Sequence, residues 1–246
     1  MAVIAVYSVK GGVGKTTLAA NLAWCASQIG AWSTLLWDID AAGGGAFLLG
    51  VDPIPGPAAR GVFSREAKPT NLIVNTAYPG LDLLPADESL WGLDAQLTVL
   101  GKKRRLAKLT AAMASAYPRI VLDCPPVLNQ ISAQVVRAAD LVVVPLPPSP
   151  LSARAFAVVA EAVKGLGSRH PPMLPVLSMV DRRRTLHREA IAANPDWPVV
   201  PFASALEQCA VRRAPVGAFA PASPAAADIA RLWHAIERKL GARAAG

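Results

Sequence analysis

Residues Lys10-Gly11-Gly12-Val13-Gly14-Lys15-Thr16-Thr17 combine glycines, lysines and adjacent hydroxyls in the pattern that grips phosphate. Glycines let backbone N–H groups close around phosphate oxygens, and a helix starting at the loop adds the partial positive charge of its N-terminus. In that arrangement Lys15 reaches the β- and γ-phosphates of a nucleotide, the Thr16 hydroxyl ligates Mg²⁺, and Thr17 supports the α-phosphate. Lys10 is a second lysine that an ordinary phosphate loop does not need. Two acidic segments complete the chemistry. Trp37-Asp38-Ile39-Asp40 ends an apolar run with two carboxylates, where ligands of open α/β sheets collect. Ile120-Val121-Leu122-Asp123 is a second apolar run ending in an acid, the form in which a carboxylate holds Mg²⁺ through water. Hydrolysis at such a site rests on positioning and charge stabilisation, so no separate general base is demanded.

These residues need strands that end together. Short apolar runs at residues 3–6, 34–37, 81–84, 120–122, 141–144 and 174–177 alternate with segments of helical character at 15–29, 93–116, 129–138, 152–166, 184–193 and 224–241. Continuous apolar strands alternating with helices predict an α/β fold: a doubly wound, mainly parallel sheet with helices on both faces and right-handed connections. The 246 residues are expected to form a single domain, 1–246. The proline-dense run Val51 to Pro57, after Gly43-Gly44-Gly45, is expected to be an irregular connection.

Composition narrows the partners. Lys and Arg number 25 against 17 Asp and Glu, a net charge of +8 that favours an anionic surface such as nucleic acid or acidic membrane. Three scattered cysteines, Cys25, Cys124 and Cys209, argue against a disulfide framework or a structural zinc site and fit a reducing cytoplasm. No run approaches the roughly 20 apolar residues that cross a bilayer. The short start Ala2 to Val6 reads as a first strand rather than an export signal, and with nothing ahead of that strand no N-terminal helix-turn-helix module is expected.

With its early lysine, the loop resembles the deviant Walker A family of P-loop ATPases throughout. That resemblance implies ATP and Mg²⁺ as ligands and gives Lys10 a role across a two-fold interface, on the phosphates of the partner's nucleotide in an ATP-sandwich homodimer. It assigns Asp38 and Asp40 to the magnesium waters and the attacking water, with Asp40 the preferred catalytic residue, and Asp123 to the metal. Cys124, in the family's Cys-Pro-Pro, reads as packing. Relatives usually continue Pro-Gln-Gly after the second aspartate, whereas this chain reads Ala41-Ala42-Gly43.

Later segments resemble the ParA partition branch: Pro148-Ser149-Pro150-Leu151, Leu177-Ser178-Met179-Val180-Asp181-Arg182-Arg183, and Pro221-Ala222-Ser223-Pro224 before the last helix. This resemblance implies that the segments around Ser178 and Pro201 lie near the adenine and that the dimer binds DNA without sequence preference. It further implies a ParB-like adaptor that stimulates hydrolysis, a cytoplasmic, nucleoid-associated location and a positioned cargo. The arginines expected to meet phosphate are Arg182, Arg183, Arg184, Arg212, Arg213 and Arg231, with Lys102-Lys103-Arg104-Arg105 as a second patch. Where relatives carry Ile-Pro-Arg, this chain reads Val200-Pro201-Phe202.

Two alternatives share the loop. One is a MinD-like membrane ATPase, for which Ile229, Leu232, Trp233, Ile236 and Leu240 would form the apolar face of a terminal helix. The Pro-x-Ser entry favours docking of that helix on the core, so a membrane partner is not expected. The other is an accessory ATPase of a secretion or cellulose-synthesis system.

Overall fold

A computed structural model describes residues 1–52, 58–101, 103–167 and 170–244. The Pro53 to Pro57 run and Lys102 lie outside the described residues.

The first strand, β1 (Ala2–Val6), leads through the glycine loop into α1 (Lys15–Gln28) and then β2 (Thr34–Asp38). Two short helices, α2 (Gly44–Leu48) and α3 (Gly61–Ser64), precede β3 (Val74–Asn75) and β4 (Leu81–Leu84). Next come α4 (Leu93–Leu100), α5 (Arg105–Ala112), β5 (Arg119–Asp123), α6 (Gln130–Ala138), β6 (Leu141–Leu146), α7 (Pro150–Lys164) and β7 (Met173–Val180). The chain finishes with α8 (Thr185–Ala193), β8 (Val199–Pro201), α9 (Ser204–Arg212), α10 (Val216–Phe219) and α11 (Pro224–Ala244).

The strands form one sheet in the order β3-β4-β2-β5-β1-β6-β7-β8, parallel except at the β3–β4 edge. Alternate residues of a strand point to opposite faces, and here each face has its own core. Val3 and Ala5 of β1 join Leu35, Leu122 and Val142 beneath α4 to α7, while Ile4 and Val6 join Leu36, Val121 and Val143 beneath α1 and α11. The central strands therefore lack polar alternation, as the sequence predicted.

Three departures have local causes. The helix expected over 93–116 breaks at Gly101, which ends α4 with φ 59, a left-handed conformation that glycine adopts freely. The unanticipated α9 buries one residue fully, Cys209. The edge strands β3 and β8 have two and three residues, too short for an alternating pattern to register.

At the end of the chain, Ile229, Leu232, Trp233 and Ile236 are buried, and α11 packs on α1 and β8. Its apolar stripe is docked, as the Pro-x-Ser entry implied. Among the described residues, no helix is long and apolar enough to cross a membrane.

Candidate nucleotide site

The site is built where β1, β2 and β5 end side by side. Asp38 pairs in register with Asp123, and Asp123 with Val6, so both carboxylates flank the mouth of the loop that follows β1. The loop turns through Gly12 at φ 69 and Gly14 at φ 87, values that disfavour any side chain. Gly14 opens α1 without a side-chain cap, so the first-turn N–H groups remain available to an anion. Lys15 is buried, and its Nζ folds back to donate to the Lys10 carbonyl at 3.2 Å. Burial lowers its pKa, while the carboxylates of Asp123 and Asp40 oppose that shift.

The acidic residues differ in their commitments. Asp38 is fully buried and accepts two backbone N–H groups, from Asp40 at 3.0 Å and from Gly45 at 2.8 Å. Burial and the neighbouring Asp123 still hold its pKa well above the usual carboxylate range. Asp40 is half-buried, its Oδ1 accepting from the Ala42 N–H at 3.1 Å. Asp123 is also fully buried, yet among the described residues neither of its oxygens meets a hydrogen-bond partner. Burial pushes its pKa up to about 7; the nearby Thr16 hydroxyl and Lys15 pull it down, and Asp40 pushes it further up.

A buried, unpartnered carboxylate is costly unless something satisfies it. Hard cations take oxygen ligands, and Asp123 with the Thr16 hydroxyl offers such a set beside a phosphate loop. The residues present therefore fit a magnesium ion.

The run Gly43-Gly44-Gly45 has a role that the residue types alone did not reveal. Gly43 takes φ 66 and starts α2. A Cβ on Gly44 would lie 2.9 Å from Thr16 Cγ2, and one on Gly45 would lie 2.9 Å from Asp38 Oδ2. Their lack of side chains lets α2 sit directly on a phosphate-loop threonine and a strand-end aspartate.

Ser178 and Pro201 meet on one groove of about 490 Å³, open to solvent, that also touches Gly14 and Thr17. Ser178 Oγ donates to the Val13 carbonyl at 3.2 Å, fixing the end of β7 to the loop. Met179 and Phe202, the chain neighbours of Ser178 and Pro201, line the same groove, as does Glu207 of α9, which the sequence did not single out. The groove walls are mostly apolar.

Residues 1–174 match a protein family described as AAA domain. The chain is 31% identical over 249 residues to the chromosome-partitioning ATPase Soj of Thermus thermophilus, covering 96% of each chain. It is 32% identical over 195 residues to the chromosome partitioning protein ParA of Caulobacter vibrioides, covering 76% of this chain and 73% of that one. The chain belongs to the ParA-type partition ATPase family. In fold, this ParA-type chain is similar to apo McdA of Cyanothece, with a TM-score of 0.83, 21% identity and coverage of 98% and 99% of the two chains. A variant of that McdA is known as an ATP complex, with a TM-score of 0.81, 21% identity and coverage of 98% and 96%. ParA-type proteins are P-loop ATPases.

Lys10, the early lysine of this ParA-type loop, extends sideways. Its Nζ donates to Ser152 Oγ at 3.3 Å, and Ser152 shares a 2.9 Å hydrogen bond with Ser149, whose hydroxyl caps α7. The candidate DNA arginines are less uniform than their shared charge suggests. Arg182 and Arg184 are exposed at the start of α8, and neighbouring Arg183 is bound to Asp181 at 2.9 Å. Arg212 lies 5.1 Å above the Phe219 ring, Arg213 bonds Asp52 at 2.7 Å, and Arg231 pairs with Asp228.

The second patch needs correction. Arg105 is buried and donates through Nε to the Phe63 carbonyl at 3.0 Å and through Nη2 to the Val62 carbonyl at 2.7 Å. It satisfies the carbonyls of α3 instead of facing solvent, because its position in the first turn of α5 points it at that helix end. Lys103 and Arg104 remain exposed. Cys124 is buried in the core beside Asp123, with its thiol pKa driven up by burial, which fits packing.

Proposed function

We propose that this chain is a Mg²⁺-dependent ATPase of one domain, 1–246, whose ATP-bound form is a sandwich homodimer. The dimer binds DNA without sequence preference and uses hydrolysis to partition or position a cargo. The observation that carries the reading is Asp123: a fully buried carboxylate that, among the described residues, lacks a hydrogen-bond partner of good geometry, in register with Asp38 and close to Lys15 and Thr16. A nucleotide-magnesium complex is the ligand that this combination of buried acid, lysine and anion-binding loop suits.

In this reading the N–H groups of residues 11–17 and the Lys15 ammonium hold the β- and γ-phosphates. Thr16 and Asp123 hold the metal, with Asp38 beside them. The metal, when bound, neutralises charge on the phosphates. Asp40, which is not enclosed like Asp38, orders the attacking water. Lys10 leaves Ser152 and reaches the partner's phosphates, so nucleotide occupancy and dimerisation are linked. The adenine rests in the groove of Ser178 and Pro201. Net charge +8 favours salt-sensitive attraction to DNA phosphates and a nucleoid location in the cytoplasm. A ParB-like adaptor is the partner expected to stimulate turnover.

The test is binding to random-sequence duplex DNA with ATP, with ADP and without nucleotide, at low and physiological salt, with anionic liposomes in parallel. ATP-dependent, salt-sensitive DNA binding is the expected result. No DNA binding in any nucleotide state, with liposome binding instead, would move the function to a membrane surface and leave the ATPase site assignments standing.

A further inference from the structure

Arg213 closes α9 at φ 50 and ψ 44, a left-handed position where helices commonly place glycine. The contacts that accompany this conformation lie on a different element. Arg213 Nη2 donates to Asp52 Oδ1 at 2.7 Å, and its Nε donates to the Phe47 carbonyl at 3.3 Å. The guanidinium carbon lies 5.1 Å from the centre of the Phe47 ring. The Arg213 carbonyl lies 3.3 Å from where a Cβ on Gly50 would sit, so both backbone and side chain rest on the 47–52 segment.

That segment begins inside α2, whose Gly44 abuts Thr16 and whose Gly45 N–H donates to Asp38. The helix that Arg213 terminates, α9, carries Leu206 and Glu207 into the groove of Ser178 and Pro201. One side chain thus ties the helix at the metal end of the site to the helix at its base end. The ion pair alone is weak, since the Asp52 side chain is 79% exposed. The planar guanidinium gains from engaging a carboxylate, a carbonyl and an aromatic face together, which a lysine could not reproduce.

We infer that Arg213 is a positioning residue for ATP hydrolysis, holding α2 against Thr16 and Asp38 and coupling it to the helix that lines the base groove. The inference rests on the ATPase reading above. It also removes Arg213 from the arginines free to meet DNA in this conformation, because its donors are directed at Asp52 and Phe47.

Two variants test it. Arg213→Gly accepts the left-handed backbone and deletes the side chain; Arg213→Lys keeps the charge toward Asp52 but loses the planar fork. The measurements are steady-state ATPase kinetics, duplex DNA binding, and amide hydrogen exchange of residues 43–50 in the nucleotide-free protein. Arg213→Gly is expected to lower kcat about fivefold or more with KM for ATP changed less than about twofold. Exchange across 43–50 should speed up by about tenfold while α1 and α11 keep their protection. Arg213→Lys should recover part of both effects. Unchanged kcat and exchange in Arg213→Gly overturn the inference, as does weakened DNA binding with kcat intact, which would return Arg213 to the DNA surface. A wild-type protein without ATPase activity defeats the functional reading instead; unchanged exchange in the variant would then still defeat the clasp.

Discussion

The acidic residues of the site were legible by type and place, but not by what they are doing. Asp38, Asp40 and Asp123 stand out in the sequence because carboxylates rarely end apolar runs without a reason. That Asp38 is engaged by two N–H groups, while Asp123 meets none among the described residues, depends on the backbone of α2 and is invisible in spacing. The division predicts different losses. Lys15→Ala should abolish ATP binding, read as loss of fluorescent-nucleotide binding. Asp40→Ala should bind ATP normally, cease to hydrolyse it and accumulate as a dimer in size-exclusion chromatography; hydrolysis at the wild-type rate would show that another group orders the water. Gly45→Ala tests the close approach to Asp38. Alanine suits a helix better than glycine by about 1 kcal/mol, but its Cβ would press on an oxygen held by hydrogen bonds in the core. The contact should win, lowering kcat by about tenfold, a barrier increase of about 1.4 kcal/mol, with the fold intact by circular dichroism.

Among the elements, the central strands were readable because both faces of the sheet are covered, so β1, β2, β5 and β6 carry apolar residues at consecutive positions. What escaped was set by tertiary contact. The α4–α5 break sits at one glycine within an otherwise helical stretch, and α9 is held to the core through Cys209, its one fully buried residue. The basic run 102–105 looked like one solvated face, yet Arg105 turns inward to close α3. Arg105→Met should destabilise the fold by about 2 kcal/mol, because two buried carbonyls would lose a charged donor. Lys108→Met, on an exposed position of the same helix, should change stability by less than about 0.5 kcal/mol. Urea unfolding of both variants checks the contrast, and equal midpoints would mean that α3 does not depend on Arg105.

For the whole molecule, charge offers the broadest prediction. An affinity for DNA built on sequence-blind phosphate contacts should fall with salt as a straight line in logarithmic axes; about five contacts give a slope near −4.5. Binding of the ATP-bound protein across a potassium chloride series measures it, and a flat line would exclude phosphate neutralisation as the source of affinity. Exchanging Arg182 and Arg184 together for alanine should reduce that slope by about two, whereas Arg231, paired with Asp228, should contribute less.

The two margins of the sheet carry a separate consequence. One ends in β3, two residues run antiparallel to their neighbour; the other ends in β8, three residues closing on Pro201, which has no N–H to offer. A sheet with such blunt borders gives an incoming strand almost no template. Crowding many copies of the chain together therefore carries little risk of cross-β aggregation through these edges, and any ordered array that the protein builds must be joined through side-chain surfaces that can separate again.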